Sequence, residues 1–105
     1  MQDISVQELK SRLDAGEQLH VLDVREPDEY AAFNIGAKLV PLGQVMAFQV
    51  DELEDWKEHE VIVHCHAGMR SLKAALMLET MGFRNVKNLA GGMVAWKELV
   101  EGRKA

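Results

Sequence analysis

Val61-Ile62-Val63-His64-Cys65-His66-Ala67-Gly68-Met69-Arg70-Ser71 carries the chain's strongest strand signal, its only cysteine and a glycine-centred loop in one uninterrupted stretch. Val61 to Cys65 is apolar and β-branched and reads as a buried strand. From about Arg70 to Met81 the pattern turns helical. Leu72, Ala75, Leu76, Leu78 and Met81 recur at spacings that pack one face against a sheet, and Gly82 ends the run. A strand that passes through a short loop into a helix is the start of a crossover, the connection that parallel strands require.

The neighbouring segments repeat this alternation. Downstream, Val86 to Leu89 reads as a strand, Gly91-Gly92 as a tight turn and Met93 to Val100 as a helix. Upstream, Leu19 to Val24 reads as a strand. Glu26-Pro27-Asp28 opens a turn or helix with Pro27 suited to its first position, and Tyr30 and Phe33 pack inward from it. Lys38-Leu39-Val40-Pro41-Leu42 is a weaker strand whose Pro41 marks an end or a sheet edge. Residues 44–57 read as helical. Near the start, Ser5 and Glu8 have capping-box spacing, Ile4 and Leu9 flank them as a hydrophobic staple, and Gly16 offers a stop. Strands alternating with helices imply an α/β fold with a mainly parallel sheet.

The 105 residues correspond to one domain, 1–105, with 48% hydrophobic and 28% charged residues, an ordinary globular balance. A net charge of −5 argues against nucleic acid and anionic membranes as partners. No apolar run approaches a membrane span, and the first residues have no signal-peptide pattern, so the expected compartment is the cytoplasm. A lone cysteine fits a reducing compartment. The charge is unevenly spread: residues 1–60 hold 14 acids and 5 Lys/Arg, residues 61–105 hold 3 and 7. Between Val61 and Leu78 there is no acid, while Arg70 and Lys73 lie there. Either the halves balance in three dimensions or this stretch is a local anion site.

In an open parallel sheet, ligands collect where strands end and helices begin, and Cys65 lies at such a point. The N-terminus of the following helix presents unpaired N–H groups and partial positive charge, which lowers a thiol's pKa. Gly68 lets the loop curl so that its N–H groups point inward. Arg70 opposes the helix dipole in the first turn, which makes sense if it faces a bound anion rather than solvent. The plainer alternative for Cys65 is an inert core thiol. A metal shared by His64 and Cys65 is disfavoured, since successive strand residues face opposite ways. His64 reads as packed or surface-facing. His66, when protonated, is a second cation near the thiolate, or points to solvent. Met69 lies in the loop and is positioned to shape its entrance.

Cys65-His66-Ala67-Gly68-Met69-Arg70-Ser71 resembles the C-x-x-G-x-R-[ST] active-site loop of the rhodanese family. Leu22-Asp23-Val24-Arg25-Glu26-Pro27-Asp28-Glu29-Tyr30 is similar to that family's L-D-V-R-x-x-x-E-[YF] segment. Gly82-Phe83-Arg84-Asn85-Val86 with Leu89-Ala90-Gly91-Gly92-Met93-Val94-Ala95-Trp96 is similar to its G-[FY]-x-x-V-x-x-L-x-G-G-x-x-x-W ending. The resemblance covers nearly the whole chain, in order. It implies a rhodanese-like sheet of about five strands with helices on both faces, and a Cys65 persulfide held by backbone N–H groups from His66, Ala67, Gly68, Met69, Arg70 and Ser71. Arg70 would hold the anionic donor or the persulfide, Asp23 and Arg25 would brace the neighbouring loop, and Trp96 would be core. One departure stands out: where the family reads E-[YF]-x-x-G-H-I-P-G-A, this chain has Glu29-Tyr30-Ala31-Ala32-Phe33-Asn34-Ile35-Gly36-Ala37, with Phe33-Asn34 replacing Gly-His and one residue fewer.

The implied chemistry is sulfur transfer without cofactor or metal. Cys65 takes sulfane sulfur from thiosulfate or a persulfide and passes it to cyanide, a thiol or a sulfur-relay protein. With no second cysteine, the acceptor comes from outside. A phosphatase or arsenate reductase on the same fold would need C-x₅-R, whereas four residues separate Cys65 from Arg70. A non-catalytic binding module is the alternative from another class.

Overall fold

A computed structural model describes residues 1–102; positions 103–105, the end of the expected domain, lie outside the described residues. The elements in chain order are β1 (Gln2–Ile4), α1 (Val6–Asp14), β2 (His20–Asp23), α2 (Pro27–Ala32), β3 (Lys38–Leu39), α3 (Leu42–Met46), a 3₁₀ helix (Asp51–Trp56), β4 (Glu60–His64), α4 (Met69–Thr80), β5 (Asn85–Leu89) and α5 (Gly92–Gly102). The strands form one sheet in the order β1-β5-β4-β2-β3, and every pairing is parallel.

The most β-branched strand takes the centre. β4 pairs with β2 (Val61 opposite His20) and with β5 (Val61 opposite Val86), and Val61 to His64 are all buried. Its two-residue period divides the core. Val61, Val63 and Cys65 join Leu22, Val24, Val86 and the α4 residues Ala74, Ala75 and Leu78. Ile62 joins Ile4 and Leu9 beside α1, and Met93 and Trp96 of α5. Helices therefore cover both faces, and every strand's C-terminal end points to the same edge.

Local signals account for most boundaries. Ser5 Oγ accepts the Glu8 N–H at 3.0 Å, and Ile4 and Leu9 are buried together as a staple requires. Pro27 occupies the first turn of α2. β3 stops before Pro41 and forms the sheet edge. In the departure from the family pattern, Asn34 terminates α2: its Nδ2 donates to Tyr30 O at 3.0 Å while its Oδ1 accepts the Gly36 N–H at 2.9 Å. Phe33 turns its ring toward the α1/α5 core, where Lys97 Nζ lies 4.6 Å from the ring centre.

Two expectations are corrected, and one strand is new. β1 was invisible in the sequence, because only Ile4 of its three residues is buried and its order comes from pairing with β5. Leu76 does not pack on the sheet; it is exposed, and α4 turns Ser71, Ala74, Ala75 and Leu78 inward. Residues 44–57 are not one helix. α3 ends at Met46, the backbone reverses at Phe48 (φ 60°), and only Asp51–Trp56 resumes a helical path.

Candidate active site

Cys65 follows the last residue of β4 at the C-terminal edge of the sheet, and α4 begins four residues later. The loop between them is closed from below by α5. Met93 N–H donates to Cys65 O at 3.0 Å and Val94 N–H to His66 O at 3.0 Å. Otherwise unpaired N–H groups at one helix start thus hold the carbonyls of the cysteine loop. Close approach explains the glycine pair. A Cβ on Gly92 would lie 2.5 Å from Cys65 O and 2.7 Å from His66 O, and its φ is 52°. Gly68 caps α4 with φ 110°, a conformation that turns its N–H back toward the sulfur.

The sulfur lies at the bottom of the resulting cradle. Cys65 is buried; Gly68 N–H reaches Sγ at 3.1 Å and Ser71 Oγ lies 3.4 Å from it. Burial by itself raises the thiol's pKa. The Ser71 hydroxyl and the N–H groups of Ser71, Gly68 and Ala67 outweigh it, leaving the thiol below its ordinary value. Ser71 is itself buried and held by Asn88 of β5, whose Oδ1 lies 2.5 Å from Ser71 Oγ.

The other expected site residues divide. Ala67, Gly68 and Ser71 gather at the sulfur, whereas the side chains of His66 and Met69 are exposed. Met69, 70% exposed at the first position of α4, is an apolar rim residue. Arg70 does not face an open anion site. Its Nη1 and Nη2 meet Glu29 Oε1 and Oε2 at 2.6 and 2.9 Å, a bidentate pair that draws the Glu29 carboxyl down to about 2.

Asp23 and Arg25 brace α2 and its end, where the resemblance implied the neighbouring loop. Arg25 Nε and Nη2 bind the buried Asp23 carboxylate, and Nη2 also donates to Phe33 O at 2.7 Å. His64 packs on the opposite side of β4 from Cys65. It is fully buried, with Nε2 3.7 Å from Asp23 Oδ2 and neither ring nitrogen hydrogen-bonded. Asn88 and Glu29 were not singled out as site residues. Glu29 had a signal, its place in the second motif; Asn88 had none, because nothing local says that an asparagine on one strand reaches the loop after the next.

Comparison with known proteins agrees with this geometry. The family model for the rhodanese-like domain matches residues 5–99. A Bacillus subtilis protein, YrkF, named as a candidate sulfur carrier, is 38% identical over 90% of this chain and 50% of its own length. A protein of Allochromatium vinosum named sulfurtransferase is 31% identical over 90% of this chain and 86% of its own. The crystal structure of a rhodanese-like domain protein from Staphylococcus aureus superposes with a TM-score of 0.79 at 34% identity, covering 91% of each chain. The chain thus spans about half of YrkF and most of the other two. It belongs to the rhodanese-like family.

Proposed function

We propose that this chain acts as a sulfurtransferase domain that carries sulfane sulfur as a persulfide on Cys65. The observation that supports this most is a lone buried thiol held by the Gly68 N–H and the Ser71 hydroxyl, in a loop with four residues between cysteine and arginine. Such a cradle matches one additional sulfur better than a tetrahedral oxyanion. The names of the relatives, a sulfurtransferase and a candidate sulfur carrier, point the same way.

The transfer has two steps. The Cys65 thiolate attacks the outer sulfur of thiosulfate or a persulfide. A new S–S bond forms, and the old one breaks with its electron pair leaving on sulfite or on the donor thiolate. A thiol or cyanide then attacks the outer sulfur of the Cys65 persulfide and returns the thiolate. Charge stays on sulfur throughout, so N–H groups of the loop, His66 to Ser71, stabilise each state electrostatically. Arg70 assists binding of an anionic donor only where that donor displaces Glu29 from its guanidinium. The acceptor is external, either a small thiol or a relay protein, and no metal or cofactor enters. Among the described residues no helix is long and apolar enough to cross a membrane; action in the cytoplasm is part of this proposal.

Intact mass spectrometry after incubation with thiosulfate tests it. One added sulfur atom, removed by cyanide and absent in Cys65→Ser, is expected. No gain from thiosulfate or persulfide donors by a reduced Cys65 overturns it.

A further inference from the structure

We propose that Glu29 is a specificity-determining residue: by occupying Arg70 it leaves the mouth of the Cys65 cradle net negative, so that neutral or singly charged sulfur donors are taken in preference to doubly charged ones. This rests on the sulfur-transfer reading above. The local sequence suggests the reverse, since no acid lies between Val61 and Leu78. The fold supplies the acids from α2 instead.

Glu29 spends both arms of the Arg70 guanidinium, at 2.6 and 2.9 Å. It is itself fixed, because its Oε1 accepts the Glu26 N–H at 3.0 Å and its carbonyl faces Arg25 Nη1 at 3.4 Å. Glu26 is the residue that caps the start of α2, and through its N–H on Glu29 Oε1 it carries a further carboxylate beside this pair. Behind them Arg25 is already matched by Asp23. Arg25 and Arg70 are thus each matched by a carboxylate, and Glu26 adds a third, a net of one negative charge in this cluster before the Cys65 thiolate adds its own. A dianion must either displace Glu29 from Arg70 or approach this negative mouth. A monoanion feels half the repulsion and a neutral carrier none.

Glu29→Gln removes the charge and keeps an amide oxygen for the Glu26 N–H and for Arg70. The first measurement needs no sulfur donor. Cys65 is alkylated by iodoacetate or iodoacetamide, its sulfur displacing iodide in both, and the two rates are compared by mass spectrometry. The substitution should raise the iodoacetate-to-iodoacetamide ratio roughly threefold at low salt, with a smaller rise for Glu26→Gln. The second compares thiosulfate with methanethiosulfonate, a monoanion that loads the same sulfur and releases a sulfinate. Glu29→Gln should lower KM for thiosulfate several-fold more than for the monoanion. An unchanged ratio in a folded, sulfur-loading variant, or an equal loss with both donors, overturns the charge filter and leaves Glu29 as a brace. If neither donor loads Cys65 in the unaltered protein, the sulfur-transfer reading falls and this proposal with it.

Discussion

Asn88 Oδ1 lies 2.5 Å from Ser71 Oγ, and the same hydroxyl lies 3.4 Å from the Cys65 sulfur. A serine hydroxyl has one proton to donate, and here Asn88 Oδ1, Gly68 O at 3.2 Å and the sulfur compete for it. While the proton points to Asn88 it does not serve the thiolate. Turning the Asn88 amide would present Nδ2 to Ser71 Oγ and free that proton for sulfur, in exchange for the long Nδ2 contact to Gly68 O at 3.4 Å. Asn88→Asp removes this option and adds a negative charge behind Ser71. The pH of half-maximal Cys65 alkylation should therefore rise, as it should in Ser71→Ala. In the double variant the Asn88→Asp effect should shrink to the charge contribution. Profiles unchanged in both single variants would show that the hydroxyl does not set thiol reactivity.

Gly92 should tolerate no side chain. Alanine there must resolve a 2.5 Å approach to Cys65 O at φ 52°, which should cost about 2 kcal/mol or more in urea unfolding and slow Cys65 loading. Gly43 is the control: it lies inside α3 with open space around its Cβ position. Gly43→Ala should be neutral or stabilise by roughly 0.5 kcal/mol. Equal effects at both positions would contradict the docking of α5 on the loop.

The Asp23–Arg25 pair should be costly to halve and cheaper to replace. Both side chains are buried, and Arg25 also holds the end of α2 through Phe33 O. Asp23→Ala leaves an uncompensated guanidinium and should destabilise by about 3 kcal/mol. Replacing both residues with apolar side chains of similar size should cost less than that single change. Denaturant midpoints of the three proteins decide the matter.

His64 predicts a pH slope. Burial lowers its pKa below 6.5, against the opposing pull of Asp23. A histidine of this kind binds its proton more readily in the unfolded chain. The stability it confers is present above about 6.5 and is lost as pH falls below that value. Glu29 and Glu60, both held near 2, the first mainly by Arg70 and the second mainly by Arg12, act in a separate window. Their contribution is lost only as pH falls below 4.5. Unfolding midpoints measured from pH 7.5 to 5.5 should therefore decline in the natural protein and stay flatter in His64→Leu. Parallel declines would assign the slope to other groups.

The β4–loop–α4 unit was legible because its signals are local. Three β-branched residues in a row, a glycine before a helix, and a cysteine at the junction each constrain their own backbone. Leu76 misled because a 3.6-residue period permits several inward faces, and the small residues Ala74 and Ala75 let α4 lie close to the sheet. Phe48 misled because nothing in its neighbourhood announces a left-handed backbone at a phenylalanine.

The sequence by itself determined the parallel α/β architecture, the position of the thiol at a strand end and the N–H cradle that lowers its pKa. All of these follow from short-range periodicity, capping and glycine geometry. Only the tertiary structure decided the electrostatics of that thiol. Glu29, 41 positions before Arg70, and Asn88, 17 after Ser71, reach the loop because β4 lies between β2 and β5 in the sheet. Side-chain charges act through space, and the order of strands in a parallel sheet is not written in any local run of residues.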